Sequence, residues 1–307
     1  MKKKKYVFNI DYLKICYIQP QNLWEYVAQF HLNDFINYDC FSLQIIDDGR
    51  GKEENDKPRT KIKCNVLLDE GVLLGQLHLN NSNKMNGKCW FVFDNKTFYT
   101  SAGSSLNGKY NYISCIGWVE QLLNLKINNI TQCDVSCDVN FNIIKKIMDY
   151  IKNSEEYTMY YNGNIIHDNT RKIENFGELY GRSRKKRERY PTLYLGQKND
   201  DAISIRIYNK KQEIEEKSNK TYIQEWNEMS NTMYRVECSI KNDDIKKFLD
   251  VAGQSLYEWG NLEAFTTLIG MEQYKHLLWL YVCDRLLYFK CKGGNREVIN
   301  LNDLCTG

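Results

Sequence analysis

Histidine is nearly absent: His31, His78, His167 and His276 are the only four in 307 residues, and no two form a His-x-His pair. Metal sites built from paired histidines on one strand are therefore excluded, unless carboxylates take their place. No His-x-x-Arg pair occurs either, and single histidines of this kind read as surface or satisfied core residues. Long apolar runs are missing as well. The longest, Leu277 to Phe289, is broken by Asp284 and Arg285, well short of the roughly 20 apolar residues that span a bilayer. Lys2 to Lys5 open like a signal peptide, but Asn9, Asp11 and Lys14 leave no apolar segment behind them. The expectation is a chain with no membrane association. Eleven cysteines run from Cys16 to Cys305 without a pair of Cys-x-x-Cys motifs, and Cys133 and Cys137 share the apolar face of one strand. They read as free, buried thiols that act as small hydrophobes, which points to a reducing cytoplasm. Charge imbalance is slight, at +3 with a pI near 8.1, so any surface for nucleic acid has to be a local patch. A nucleotide loop is lacking too. Gly103 to Lys109 fits the first seven positions of a P-loop, but Tyr110 stands where Ser or Thr would hold magnesium. That stretch reads as a hairpin turn, and the chain as having no ATPase.

What is present is strand-rich. Val7 to Tyr17, Cys40 to Asp47, Ile62 to Leu68, Leu73 to Leu79 and Cys89 to Tyr99 alternate, or carry β-branched and aromatic residues between turn signals. Gln21 to Phe30, Trp118 to Leu125 and Asn142 to Asn153 read as helices, Glu213 to Met229 as a polar helix, and Tyr274 to Phe289 as an amphipathic one. Asp48 to Thr60, polar and holding one of only three prolines, is a loop. Strands followed by helix, twice over, predict an α+β fold of antiparallel sheets flanked by helices, with room for two similar strand-rich halves. The expected organisation is an N-terminal strand-rich half over 1–128, a catalytic half over 129–241 and a helical C-terminal region over 242–307.

Three strands carry candidate chemistry. In Ile203 to Tyr208, isoleucines alternate with Ser204, Arg206 and Tyr208, placing Arg206 and Tyr208 on one polar face with Lys210 just beyond. A phenol beside a guanidinium and an ammonium is suited to phosphate chemistry: cations favour the phenolate, and arginine grips phosphate with a fork. Gln132 to Val139 puts Asp134, Ser136 and Asp138 opposite its apolar face, and Met233 to Ile240 does the same with Arg235 and Glu237. If the three strands share a sheet, Asp134, Asp138 and Glu237 converge near Tyr208, an oxygen-donor set suited to Mg²⁺ or Mn²⁺. Each strand taken alone also fits an ordinary antiparallel strand with a polar outer face. The run Arg182-Ser183-Arg184-Lys185-Lys186-Arg187-Glu188-Arg189 is the one strong basic cluster. It reads either as a solvated loop or as a grip on phosphates.

Thr192-Leu193-Tyr194-Leu195-Gly196-Gln197, then Arg206-Ile207-Tyr208-Asn209-Lys210 with Glu213, then Arg235-Val236-Glu237, resemble the replication initiation factor family. Members of that family start rolling-circle replication of small plasmids, and relatives act as relaxases of integrative elements. Ile10 to Leu13 is similar to the family's first strand, and Thr131 to Asp138 to its Thr-Arg-x-Asp-x-x-x-Asp stretch, with Gln132 where Arg is usual. The similarity covers about 130 to 242. The resemblance implies that Tyr208 forms a 5′-phosphotyrosyl link and frees a 3′-hydroxyl, with Arg206 and Lys210 neutralising the phosphate and Tyr194 and Glu213 as further candidates. Contacts to origin DNA, single-stranded or in a hairpin, are expected from the basic run at Arg182, Arg184, Lys185, Lys186, Arg187 and Arg189, and from Arg235. The resemblance also implies a homodimer and origin choice in the region after Asn242, while the lack of an ATPase calls for a separate host helicase as partner. Relaxase activity on another origin is the alternative within the class, and a non-catalytic DNA-binding regulator the alternative outside it.

Overall fold

The computed structural model describes residues 5–49, 60–82, 87–96, 112–166, 182–183, 186–187, 192–195, 203–227, 229, 232–252, 272–293 and 297–307. In chain order the first elements are β1 (Tyr6–Ile18), α1 (Gln21–Val27), β2 (Phe35–Asn37), β3 (Phe41–Asp47), β4 (Lys61–Leu68), β5 (Leu73–Asn80) and β6 (Lys88–Phe93). Next come α2 (Tyr112–Leu122), β7 (Lys126–Val139), α3 (Ile143–Lys152), β8 (Tyr157–Tyr161), β9 (Asn164–Ile166), β10 (Arg182–Ser183), β11 (Lys186–Arg187) and β12 (Leu193–Leu195). The remainder is β13 (Ser204–Asn209), α4 (Lys210–Glu213), α5 (Tyr222–Asn227), β14 (Tyr234–Lys241), α6 (Asn242–Ala252), α7 (Glu272–Leu286), β15 (Leu287–Cys291), β16 (Val298–Asn300) and α8 (Leu301–Thr306). The class is α+β, as the strand-then-helix pattern predicts. The chain divides into two compact units, one of Met1–Asp11, Asp134–Gln254 and Met271–Gly307, the other of Tyr12–Cys133 and Ser255–Gly270.

In the second unit the strands follow the order β1-β6-β5-β4-β3-β2, each pair antiparallel. Alternation along β3 to β6 makes this sheet two-faced: Leu43, Cys64, Val66, Leu77 and Phe91 are all fully buried, while their neighbours along each strand are partly exposed. Gly75 is required where β5 crosses β6. A Cβ there would lie 2.4 Å from the Val92 carbonyl oxygen and 2.7 Å from the Phe91 ring.

In the first unit β12, β13, β14, β7 and the start of β1 lie side by side, and a separate sheet runs β16-β15-β8-β9. Helix α3 starts at Asn142, whose side chain accepts from the Lys145 amide, and buries Ile143, Ile144, Ile147 and Ile151 at helical spacing. A reciprocal capping box between Asn300 and Asp303 starts α8, which buries Leu301, Leu304 and Cys305. Two expected helices differ. The stretch after Glu213 is not one helix: α4 passes into a single π turn over Ile214–Ser218, and Asn219 in the left-handed region (φ 54°) ends it before α5. The expected helix to Phe289 stops at Leu286, because Leu287 to Cys291 alternates and pairs in register with Tyr157 to Tyr161.

Candidate functional site

β13 and β14 pair antiparallel so that Arg206 lies opposite Glu237 and Tyr208 opposite Arg235, while β12 sets Tyr194 opposite Arg206. Ile205, Ile207, Val236 and Cys238 go into the core from the other face. The alternation read from the sequence therefore places Arg206, Tyr208, Arg235 and Glu237 together on one side of the sheet.

Glu237 is the hub. One Arg206 terminal nitrogen (Nη2) donates to both of its oxygens at 2.8 and 2.9 Å, and the Tyr208 hydroxyl donates to Oε2 at 3.0 Å. The same Arg206 nitrogen reaches the Tyr208 oxygen at 3.4 Å, and its guanidinium carbon lies 4.7 Å from the centre of the Tyr208 ring. Tyr208 is 6% exposed. The side chain of Arg206 is 43% exposed, so the guanidinium forms the solvent side of the group. The expectation that neighbouring cations favour the phenolate is reversed. Burial, then the Glu237 charge, push the Tyr208 phenol well above its ordinary value, outweighing Arg235 and Arg206. Tyr208 is thus a protonated phenol with its proton directed at a carboxylate.

Lys210, at the start of α4, is buried, pairs with Glu213 at 2.9 Å and lies 5.7 Å from the Tyr208 ring centre. Burial and then Arg235 lower its pKa. Tyr194 is 37% exposed on the flank of Arg206.

Beneath this group lies a buried ionic network. Arg235, expected to contact DNA, is instead fully buried. Its Nε and Nη2 donate to the two oxygens of Asp138 at 2.7 and 2.6 Å, and its Nη1 donates to Asp11. Asn227 donates to Asp138 at 2.6 Å and accepts from the Asn9 amide at 3.2 Å. Asp11, Asn227 and Asn9 were not picked out as partners from the sequence. For Asn9 and Asp11 the available signal was a polar residue set among apolar ones in β1; Asn227, in a polar stretch, offered none.

The expected three-carboxylate cluster does not form. Among the described residues no three His, Cys, Asp or Glu side chains are grouped to hold a metal ion. Asp138 has both oxygens engaged, and Asp134 lies four residues away on the same strand, about 13 Å along it at strand rise. A cation with oxygens at about 2.0 to 2.6 Å cannot take both. The residues as placed do not fit the divalent ion expected from the sequence. Of the basic run, Arg184, Lys185 and Arg189 lie outside the described residues. Arg182 and Lys186–Arg187 belong to the short β10–β11 pair, with Arg182 opposite Arg187. The P-loop-like stretch at 103–109 also lies outside the described residues.

No family model matches the chain, and no curated protein does. Among solved structures, the rolling circle replication initiator protein from Geobacillus stearothermophilus aligns over 82% of this chain and 80% of that chain, at 12% identity and a TM-score of 0.39. A likeness that loose transfers no residue's role.

Proposed function

We propose that this protein is a DNA strand transferase of the kind that initiates rolling-circle replication. Tyr208 is the nucleophile, Glu237 the proton acceptor and Arg206 the phosphate grip. The observation that carries this reading is the Tyr208 hydroxyl donating to Glu237 while one half-exposed guanidinium spans both groups. The sequence resemblance supports it independently of the geometry.

In the forward step the Tyr208 oxygen attacks the phosphorus as its proton passes to Glu237 Oε2. The bond to the 3′-oxygen breaks, and that oxygen leaves as a hydroxyl after taking a proton from solvent. The 5′ end is left as a phosphotyrosyl ester. Because the ester keeps the energy of the broken linkage, a 3′-hydroxyl reverses the reaction without ATP. Arg206 is already held over the ring, so a phosphate bound there sits beside the nucleophile. Lys210 is enclosed with Glu213 and acts on Tyr208 through the field at its ring, with no direct phosphate contact. The same chemistry serves a relaxase acting on a transfer origin. A regulator that only binds DNA gains nothing from a carboxylate accepting a tyrosine proton.

No step here runs through a metal. The Mg²⁺ or Mn²⁺ requirement stays a separate proposal, tested by adding either ion to EDTA-treated protein. Homodimer formation, a host helicase partner and origin reading by residues after 242 are likewise proposals, open to sizing, pull-down and chimera experiments.

The deciding experiment is to incubate the protein with supercoiled plasmids and single-stranded oligonucleotides carrying candidate origins, then map any covalent adduct by mass spectrometry. The adduct is expected on Tyr208, and Tyr208→Phe should abolish it. An adduct on Tyr194, which is exposed beside the same arginine, would transfer the nucleophile's role to β12.

A further inference from the structure

The outward face of the second unit's sheet carries a pattern that the Tyr208 group does not use. Alternation along β3 to β6 leaves Gln44, Lys63, Asn65, Gln76, His78 and Trp90 half-exposed between buried neighbours. Register arranges them in two rows across the strands. Gln44, Asn65 and Gln76 stand opposite one another in turn, as do Lys63, His78 and Trp90. The first row is stitched by its own amides. Asn65 donates to Gln44 at 3.2 Å, Gln76 donates to Asn65 at 3.2 Å, and His78 Nε2 lies 3.3 Å from Gln76 Oε1. These bonds hold the outer face rigid.

The second row is an aromatic ring among cations. Lys14 on β1 holds its ammonium 5.6 Å from the Trp90 ring centre. Lys88 sits two residues before Trp90 on the same strand, and so on the same face. Lys63 lies across His78 and pairs with Asp47 at 3.3 Å, the one acidic side chain on β3 to β6. Burial lowers the pKa of His78, followed by the charges of Lys14 and Lys63, so both ammonium groups act on the centre of the row.

An outer sheet face that serves only for solubility balances its charge signs and needs no indole among its cations, whereas here one carboxylate faces three ammonium groups around Trp90. We infer that this face binds single-stranded DNA, with an unpaired base stacked at Trp90 and the backbone phosphates held by Lys14, Lys63 and Lys88. A flat ring is sequence-tolerant, because every base has a π face, and surrounding ammonium groups track the backbone. Paired bases are unavailable to such a platform, so duplex is the poorer ligand. This surface belongs to the second unit alone and does not rest on the strand-transfer reading, which concerns residues of the first.

The test measures binding without cleavage, by fluorescence anisotropy of a labelled thymidine 20-mer with the full chain at rising salt. Trp90→Ala should weaken binding by on the order of tenfold, while Trp90→Phe, which keeps a stacking face, should retain most of it. Replacing Lys14, Lys63 and Lys88 together by Ala should flatten the slope of log affinity against log salt by about 2, since each single-strand phosphate contact contributes about 0.7. Circular dichroism checks that the variants fold, and Trp90→Phe still tests stacking if Trp90→Ala does not. Wild-type protein that fails to bind the 20-mer, or variants that bind it with unchanged affinity and slope, would overturn the inference. Tighter binding to a duplex or to a uridine 20-mer would overturn the assignment to single-stranded DNA.

Discussion

At Tyr208 the surroundings hold the phenol proton in place, so in the proposed reaction the rate depends on what can receive it. Among the described residues Glu237 is the carboxylate that accepts a hydrogen bond from that hydroxyl, and an amide in its place cannot accept the proton. Glu237→Gln should therefore lower the rate of adduct formation by about 10² to 10⁴-fold, the usual contribution of a positioned base, while anisotropy shows DNA still bound. An unchanged rate would transfer the proton's route elsewhere. Arg235 calls for a different expectation, because it touches no solvent. Arg235→Met strips the partner from two carboxylates, one of them fully buried, and should cost about 3 to 5 kcal/mol in urea unfolding. Arg235→Lys should recover only part of that, since one ammonium cannot reproduce the two-pronged contact to Asp138. A loss of DNA affinity without loss of stability would contradict this placement.

At the level of elements, strands were more legible than helices. Period two in β3, β4 and β6 is set by which side chains must leave water and is kept residue by residue, whereas β7, β13 and β14 also bury Ser136, Asp138, Tyr208, Arg235 and Glu237 from the polar face. The Arg206, Tyr208 and Glu237 group followed from the same rule. The metal cluster failed by that rule too, because Asp134 and Asp138 share a face yet stand two pleats apart. Which partner each buried charge takes was not legible, since Arg235 lies 224 residues from Asp11 and 97 from Asp138, and Asn227 lies 89 from Asp138, so they meet only through tertiary packing. Helix ends were missed where local propensity was ambiguous. Leu287 to Cys291 suits a helix face or a strand, and only the waiting edge of β8 decides it. One element-level test concerns Gly75. Gly75→Ala forces a methyl group against the Val92 carbonyl and the Phe91 ring, which should open the β5–β6 ladder and lower stability by about 1 to 3 kcal/mol. Hydrogen exchange faster at Leu77 and Phe91 than elsewhere in the chain would locate the damage, and wild-type exchange there would refute it.

Across the whole molecule, buried phenols and thiols set the alkaline limit. Tyr17, which donates to Glu120 at 2.7 Å, is pushed well above the ordinary value of 10.0, by burial first and then by Glu120. Tyr208 is raised likewise, and burial raises Cys64 from 9.0 to about 12. The folded pKa exceeds the unfolded one in each case. Their contribution is therefore complete below about pH 9 and is lost as pH rises through the folded values, because the unfolded chain ionises first. The urea midpoint, measured under a reducing agent, should fall steadily between pH 9 and 12. A flat profile there would mean these groups reach solvent in the native state.

Nine of the eleven cysteines are buried and none is bonded to another, with Cys40 and Cys291 only partly covered. Cys16, Cys64, Cys89, Cys115 and Cys133 belong to one compact unit, and Cys137, Cys238, Cys283 and Cys305 to the other. The chain thus carries a built-in set of clocks. A thiol reagent marks a hidden sulfur only during the moments its surroundings open, so the order of alkylation, followed by peptide mass, gives the opening free energy of each unit with no probe installed. Two groups of rates would show that the units breathe independently. A single shared rate would show that they open as one.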